Sequence, residues 1–135
     1  MSLISRVLDS YSLIAYLEGE KGKEKVIEMI QDARDSKANL LLSIVNWGEV
    51  YYITLREAGR KRLDEVIHLI STLPIQMVQA DLELTRQAAE FKSCKKMSYA
   101  DCYAAATAKH YKAELVTGDR EFKQVEKEVK IIWIY

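Results

Sequence analysis

Proline is almost missing from this chain: there is one in 135 residues, alongside five glycines. Long irregular loops and disordered linkers are rich in both, so regular elements with short connections are expected. Cysteine is scarce too. Cys94 and Cys102 match no zinc or redox spacing and read as free thiols in a reducing cytoplasm. No apolar run approaches the roughly 18 residues of a membrane span, and the longest is near "LLLSIV". The N-terminal residues lack the layout of a secretory signal. Neither sign of charge dominates: Lys and Arg total 20, Asp and Glu total 20, and the formal net charge is zero. That speaks against a strongly basic nucleic-acid binder, unless acids gather in one site and leave a basic surface elsewhere.

What is present fits one globular domain spanning 1–135. Hydrophobic residues make up 49% and charged residues 30%, an ordinary balance for a chain long enough to bury a core. Short apolar runs alternate with helical patterns. "LISRVL" predicts a first strand ending at Asp9. "SYSLIAYL" predicts a short helix, and "GKEKVIEMIQDARDS" an amphipathic one with Val26, Ile27, Ile30 and Ala33 on its apolar face. "NLLLS" is a second strand. "IVNWGEVYYITLREAG" is a helix stopping near Gly59, and "RKRLDEVIHLIST" is another. "PIQMVQ" is a third strand. "DLELTRQAAEFKS" is a helix with Leu82, Ala88, Ala89 and Phe91 as apolar surface. "SYADCYAAATAKHY" is an Ala-rich helix, "AELVT" a fourth strand and "VKIIWIY" a fifth. The expected fold is α/β, a three-layer sandwich with a mainly parallel five-stranded sheet flanked by helices. In such sheets, sites form outside the carboxyl ends of the strands.

Four acids stand near that edge. Asp9 directly follows the first strand, and Asp119 follows the fourth, in "LVTGDREF". Each can serve as a helix N-cap, with Gly118 supplying a turn before Asp119. Glu49 lies in the first turns after the second strand, beside Val45, Tyr52 and Ile53; it points either into that stripe or from its edge to solvent. Asp101 follows Ser98 by three residues, a capping-box spacing, and shares a helix face with Ala104, Ala105 and Ala108. Taken singly, each acid has a structural explanation. In a parallel sheet all four converge. Two carboxylates about 5 Å apart repel by about 3 kcal/mol at an effective dielectric of about 20, so such a nest takes up protons or binds cations. Carboxylate oxygens without sulfur or imidazole suit Mg²⁺, with Mn²⁺ as the alternative. That chemistry suits phosphodiester hydrolysis. Ser10, Ser43, Asn46, Ser98 and Thr117 lie within a few residues of the acids and can fix their rotamers or hold metal-bound waters. Capping explains Ser43 and Ser98 equally well.

At these residues the sequence resembles the PIN-domain ribonucleases, and among them the VapC-type toxins of toxin–antitoxin pairs. The carriers are "VLDSYSLIAYLEGE", "VNWGEVYYITLREAG" and "MSYADCYAAATAKHYKAELVTGDREF", so nearly the whole chain is covered. The family's acid quartet matches Asp9, Glu49, Asp101 and Asp119. The resemblance implies a metal-dependent endoribonuclease that leaves a 5′-phosphate. It also implies a homodimer, and a cognate antitoxin that occupies the site. Lys95, Lys96 and Arg120 then become candidates for RNA phosphates. Arg56, Arg60, Lys61 and Arg62 are candidates too, with a solvated face as the alternative. Among the aromatics, Tyr11, Trp47, Tyr51, Tyr52 and Tyr99 are placed to stack on bases, although core packing or dimer contact accounts for most of them. His68, in the apolar run "VIHLI", and His110, in a last helical turn, read as structural. Three alternatives remain: a non-toxin PIN nuclease, an RNA-binding protein, and a receiver-like signalling domain. The last usually carries paired acids after its first strand, where "LDSYS" has one.

Overall fold

The computed structural model describes residues 3–135. The chain runs β1 (Ile4–Leu8), α1 (Ser10–Glu18), α2 (Lys23–Arg34), β2 (Ala38–Ser43), α3 (Ile44–Ser71), β3 (Gln76–Val78), α4 (Leu82–Cys94) and α5 (Tyr99–His110). It ends with β4 (Glu114–Thr117), a 3₁₀ turn (Arg120–Val125) and β5 (Ile131–Trp133). The five strands form one sheet in the order β3-β2-β1-β4-β5. All four pairings are parallel. Every strand therefore ends at the same sheet edge, as the alternating sequence pattern implies.

Side chains alternate across the strands and build a core on each face. Val7, Leu41 and Leu115 pack with Leu84, Ala88 and Phe91 of α4 and with the buried alanines of α5. Their strand neighbours Leu8, Leu40, Leu42 and Val116 pack with Leu13, Val26, Ile30, Val50 and Val66 of α1, α2 and α3. Three layers result, with α1, α2 and α3 on one side of the sheet and α4 and α5 on the other. The order reverses at β1. From there the chain first builds outward through β2 to β3, then returns to place β4 and β5 on the opposite side of β1. The crevice between the carboxyl ends of β1 and β4 is thus the switch point where ligands bind in open α/β sheets.

Three helix faces differ from the periodic reading. Ile27 is exposed, because the buried line of α2 is Val26, Met29 and Ile30. Leu82 and Ala89 are exposed, because α4 buries Leu84, Ala88 and Phe91, spaced four and three apart. His68 is exposed as well, on the opposite side of α3 from Leu63, Val66 and Ile70. In each case an apolar run is wider than the stripe that touches the sheet. The expected break at Gly59 is present within α3, where φ of 84° and ψ of 177° interrupt the helix. Such a conformation is nearly confined to glycine.

Candidate metal centre at the carboxyl edge of the sheet

Asp9 is the residue after β1 and the N-cap of α1. Its Oδ1 accepts from the Ser12 N–H at 2.8 Å, and its Oδ2 accepts from the Thr117 hydroxyl at the end of β4. That second bond crosses the switch-point crevice. The carboxyl is 1% exposed. Burial pushes its pKa up to about 6, with the Asp119 charge adding to the rise and the hydrogen bonds opposing it.

Asp119 caps the 3₁₀ turn, accepting from the Glu121 N–H at 2.9 Å. Its own N–H donates to Thr117 Oγ1 at 3.0 Å. Asp101 sits in the first turn of α5, its N–H bound to the capping Ser98 hydroxyl at 3.1 Å. Its helix neighbours Ala104, Ala105 and Ala108 are buried, as their small size suggested. Burial, then the charges of Asp119 and Asp9, push Asp101 up to about 7 against the Ser98 hydroxyl, and Glu49 adds a smaller push. Glu49 is half-buried, between half-buried Val45 and Ile53 and exposed Tyr52, and so sits at the edge of its apolar stripe. Its Oε1 accepts from the Ser10 hydroxyl.

Asn46 ties these elements together. It is fully buried, and its Nδ2 donates both to Ser10 Oγ at 3.3 Å and to the Ala100 carbonyl at 3.2 Å. It therefore links α1, α3 and the start of α5, one residue before Asp101. Its Oδ1 is buried without a protein partner.

Oxygens of Asp101, Asp119 and Glu121 lie within 4.8 Å of one another. Asp9 and Glu49 fall outside that set; their carboxylates accept from Thr117 and Ser10. Glu121 is missing from the sequence reading. Its signal was the acid two residues beyond Asp119: as the N-cap, Asp119 accepts from the N–H of Glu121, which holds the two residues close. Among the described residues, no ion pair involves any of these five acids. A cluster of hard oxygens with no ion-pair partner among the described residues fits a divalent cation with its waters. Asp101, Asp119 and Glu121 are placed to ligate one, with Asp9 and Glu49 adjoining.

Ser10 and Thr117 contact the acids directly. Ser43 caps α3 through the Val45 N–H at 3.2 Å, and Ser98 caps α5, so capping accounts for both. Of the basic candidates, Arg120 adjoins Asp119, with its guanidinium 5.3 Å from the Tyr135 ring centroid. Lys95 pairs with Glu128 at 3.6 Å, and the Lys96 backbone is held by Gln124. Arg62 is engaged by Leu17 O, Glu18 and Glu65. Arg60 bonds the Tyr51 hydroxyl, and Arg56 lies over Tyr52.

A family model described as PIN domain matches residues 6–128. No curated protein matches the sequence. Solved structures match it by shape. One is a chain of VapBC2 from Rickettsia felis bound to a DNA fragment from its promoter, with a TM-score of 0.77 at 13% identity. The match covers 96% of this chain and 98% of that one. DNA-bound VapBC from Salmonella typhimurium gives a TM-score of 0.76 at 16% identity, covering 98% of this chain and 100% of that one. VapC20 of Mycobacterium tuberculosis, described as a toxin that cleaves the sarcin–ricin loop, gives 0.70 at 14% identity, covering 89% and 94%. At such identities the likeness is one of fold.

Proposed function

This chain belongs to the PIN-domain family, and from that premise we propose that it is a divalent-metal-dependent endoribonuclease, the toxin of a toxin–antitoxin pair. The observation that carries the reading is the meeting of acids from separate chain segments, without a basic counter-charge, at the switch point of a parallel sheet. Mg²⁺, or Mn²⁺ in its place, would supply positive charge against the scissile phosphate and a water more acidic than bulk water. The protein's part is to hold the carboxylates. Thr117 sets the Asp9 rotamer and the start of the Asp119 turn, and Ser10 sets Glu49. The Asn46 amide keeps α1 and α5 in register. Arg120, next in sequence to Asp119 and with its guanidinium over the exposed Tyr135 ring, is proposed to take a neighbouring phosphate of the RNA. Lys95 and Lys96 are proposed as weaker phosphate contacts.

The expected product is RNA with a 5′-phosphate. Asp9→Asn and Asp101→Asn are expected to abolish cleavage while leaving the circular dichroism spectrum unchanged. A double variant that still cuts RNA at the parental rate would refute the reading. The toxin role, the antitoxin partner, a homodimer and a cytoplasmic location are proposed together, supported by the likeness to VapBC chains. A small partner protein that co-purifies and suppresses cleavage is the expected sign. A nuclease that purifies alone and leaves its host's growth unaffected would instead be a non-toxin member. The family match leaves the receiver-like alternative without support.

A further inference from the structure

Gly118 has no left-handed backbone to explain it. The described glycines with positive φ are Gly19, Gly22 and Gly59, so the turn before Asp119 does not require glycine for its conformation. The requirement is space. A Cβ built on Gly118 would lie 2.7 Å from Cζ and 3.0 Å from Cδ1 of Tyr11, deep inside contact distance. The Tyr11 ring therefore lies directly on the backbone of the β4 turn. The contact sets the first turn of α1, which follows Asp9, against the turn that immediately precedes Asp119. The residue is nonetheless 42% exposed, and its hydroxyl has no hydrogen-bond partner among the described residues. A large ring is thus seated against bare backbone beside the turn that carries Asp119, with part of it left to solvent. Arg120, also exposed, follows Asp119 in the chain.

We propose that Tyr11 stacks on an unpaired base beside the scissile phosphate and so sets base preference at the cut, with Gly118 as the seat that orients its ring. This rests on the endoribonuclease reading. An aromatic face is what an unpaired base recognises when no edge-reading hydrogen bonds are needed, and its preferences follow stacking strength. The seat matters because a ring held in one orientation loses less freedom on binding than a mobile one.

The test uses a pool of random-sequence single-stranded oligoribonucleotides cut in Mg²⁺, with the new ends sequenced and KM and kcat measured on one cleaved sequence. Tyr11→Leu is expected to raise KM about tenfold or more, the loss of a base–aromatic stack, and to flatten the base bias at one position beside the cut. Tyr11→Phe should restore both. Gly118→Ala, which displaces the ring without removing it, should flatten the bias as Tyr11→Leu does. A parent protein mixed with Ca²⁺ and an oligoribonucleotide carrying 2-aminopurine beside the cut should quench that base's fluorescence. This last measurement does not depend on any variant folding. An unquenched base, or a Tyr11→Leu protein with the parental KM and cut pattern, overturns the role of Tyr11 while the nuclease reading stands; the ring would then be a protein contact. A parent that cuts nothing in the pool defeats the nuclease reading, and this inference with it.

Discussion

Thr117 is fully buried, and its hydroxyl serves two acids at once, donating to Asp9 Oδ2 and accepting from the Asp119 N–H. Thr117→Val keeps the volume and removes both bonds. Asp9 would then lose one of the groups that hold its negative form, and the Asp119 turn would lose its anchor. Partners of this kind typically change metal affinity by about 10- to 100-fold. Titration of the metal-free protein with Mn²⁺ should show a loss of that order, and parental affinity in Thr117→Val would place the metal away from the β1–β4 crevice. Glu121 supports a second prediction at this scale. Because its oxygen lies with those of Asp101 and Asp119, Glu121→Gln should weaken Mn²⁺ binding, whereas Glu126→Gln, on an exposed acid beyond the 3₁₀ turn, should leave it unchanged. Equal affinities in the two variants would remove Glu121 from the site.

At the scale of elements, α3 shows how one long helix does two jobs. Its first half starts from the Ser43 cap and carries Asn46 and Glu49 to the sheet edge, while its second half packs Leu63, Val66 and Ile70 elsewhere. The break at Gly59 separates them. Nothing lies near a Cβ added there, so Gly59→Ala meets no steric block, only an unfavourable backbone. The expected cost is about 1–3 kcal/mol, read as a lower midpoint in urea with little change in slope. A midpoint equal to the parent's would show that the two halves merge into a straight helix without loss. The break was legible in "REAGRKR". So were the strands, because short apolar runs bounded by polar turns leave few other assignments. Helix faces were less legible. Ile27, His68 and Leu82 sit in runs that look buried, but a helix hides only the stripe its neighbours cover, and those neighbours come from distant parts of the chain.

For the molecule as a whole, the acid cluster gives a signed pH dependence. The folded protein holds protons on Asp9 to about 6 and on Asp101 to about 7, well above the ordinary 3.8. Between those limits the native state binds more protons than the unfolded one, so stability falls as pH rises. Glu83 and Glu114 act in the opposite sense, with values lowered from 4.5, and their effect is complete once pH exceeds that ordinary value. The metal-free melting temperature should therefore peak near pH 4.5 to 5 and decline toward pH 7. Millimolar Mg²⁺ should raise it most at neutral pH, where the carboxylates are free to bind. A chelated sample whose melting temperature climbs between pH 5 and 7 would show that these acids are not held together.

By itself the sequence determined the order of strands and helices, the parallel sheet and the four acids at its edge. Those follow from local pattern and from the rule that parallel strands share one carboxyl end. Tertiary structure decided which oxygens meet. It turned Asp9 toward Thr117 and Glu49 toward Ser10, drew Glu121 into the group with Asp101 and Asp119, and set Tyr11 on Gly118. Spacing along the chain carries no information about such pairings, because each depends on the rotamer that packing from another segment leaves open.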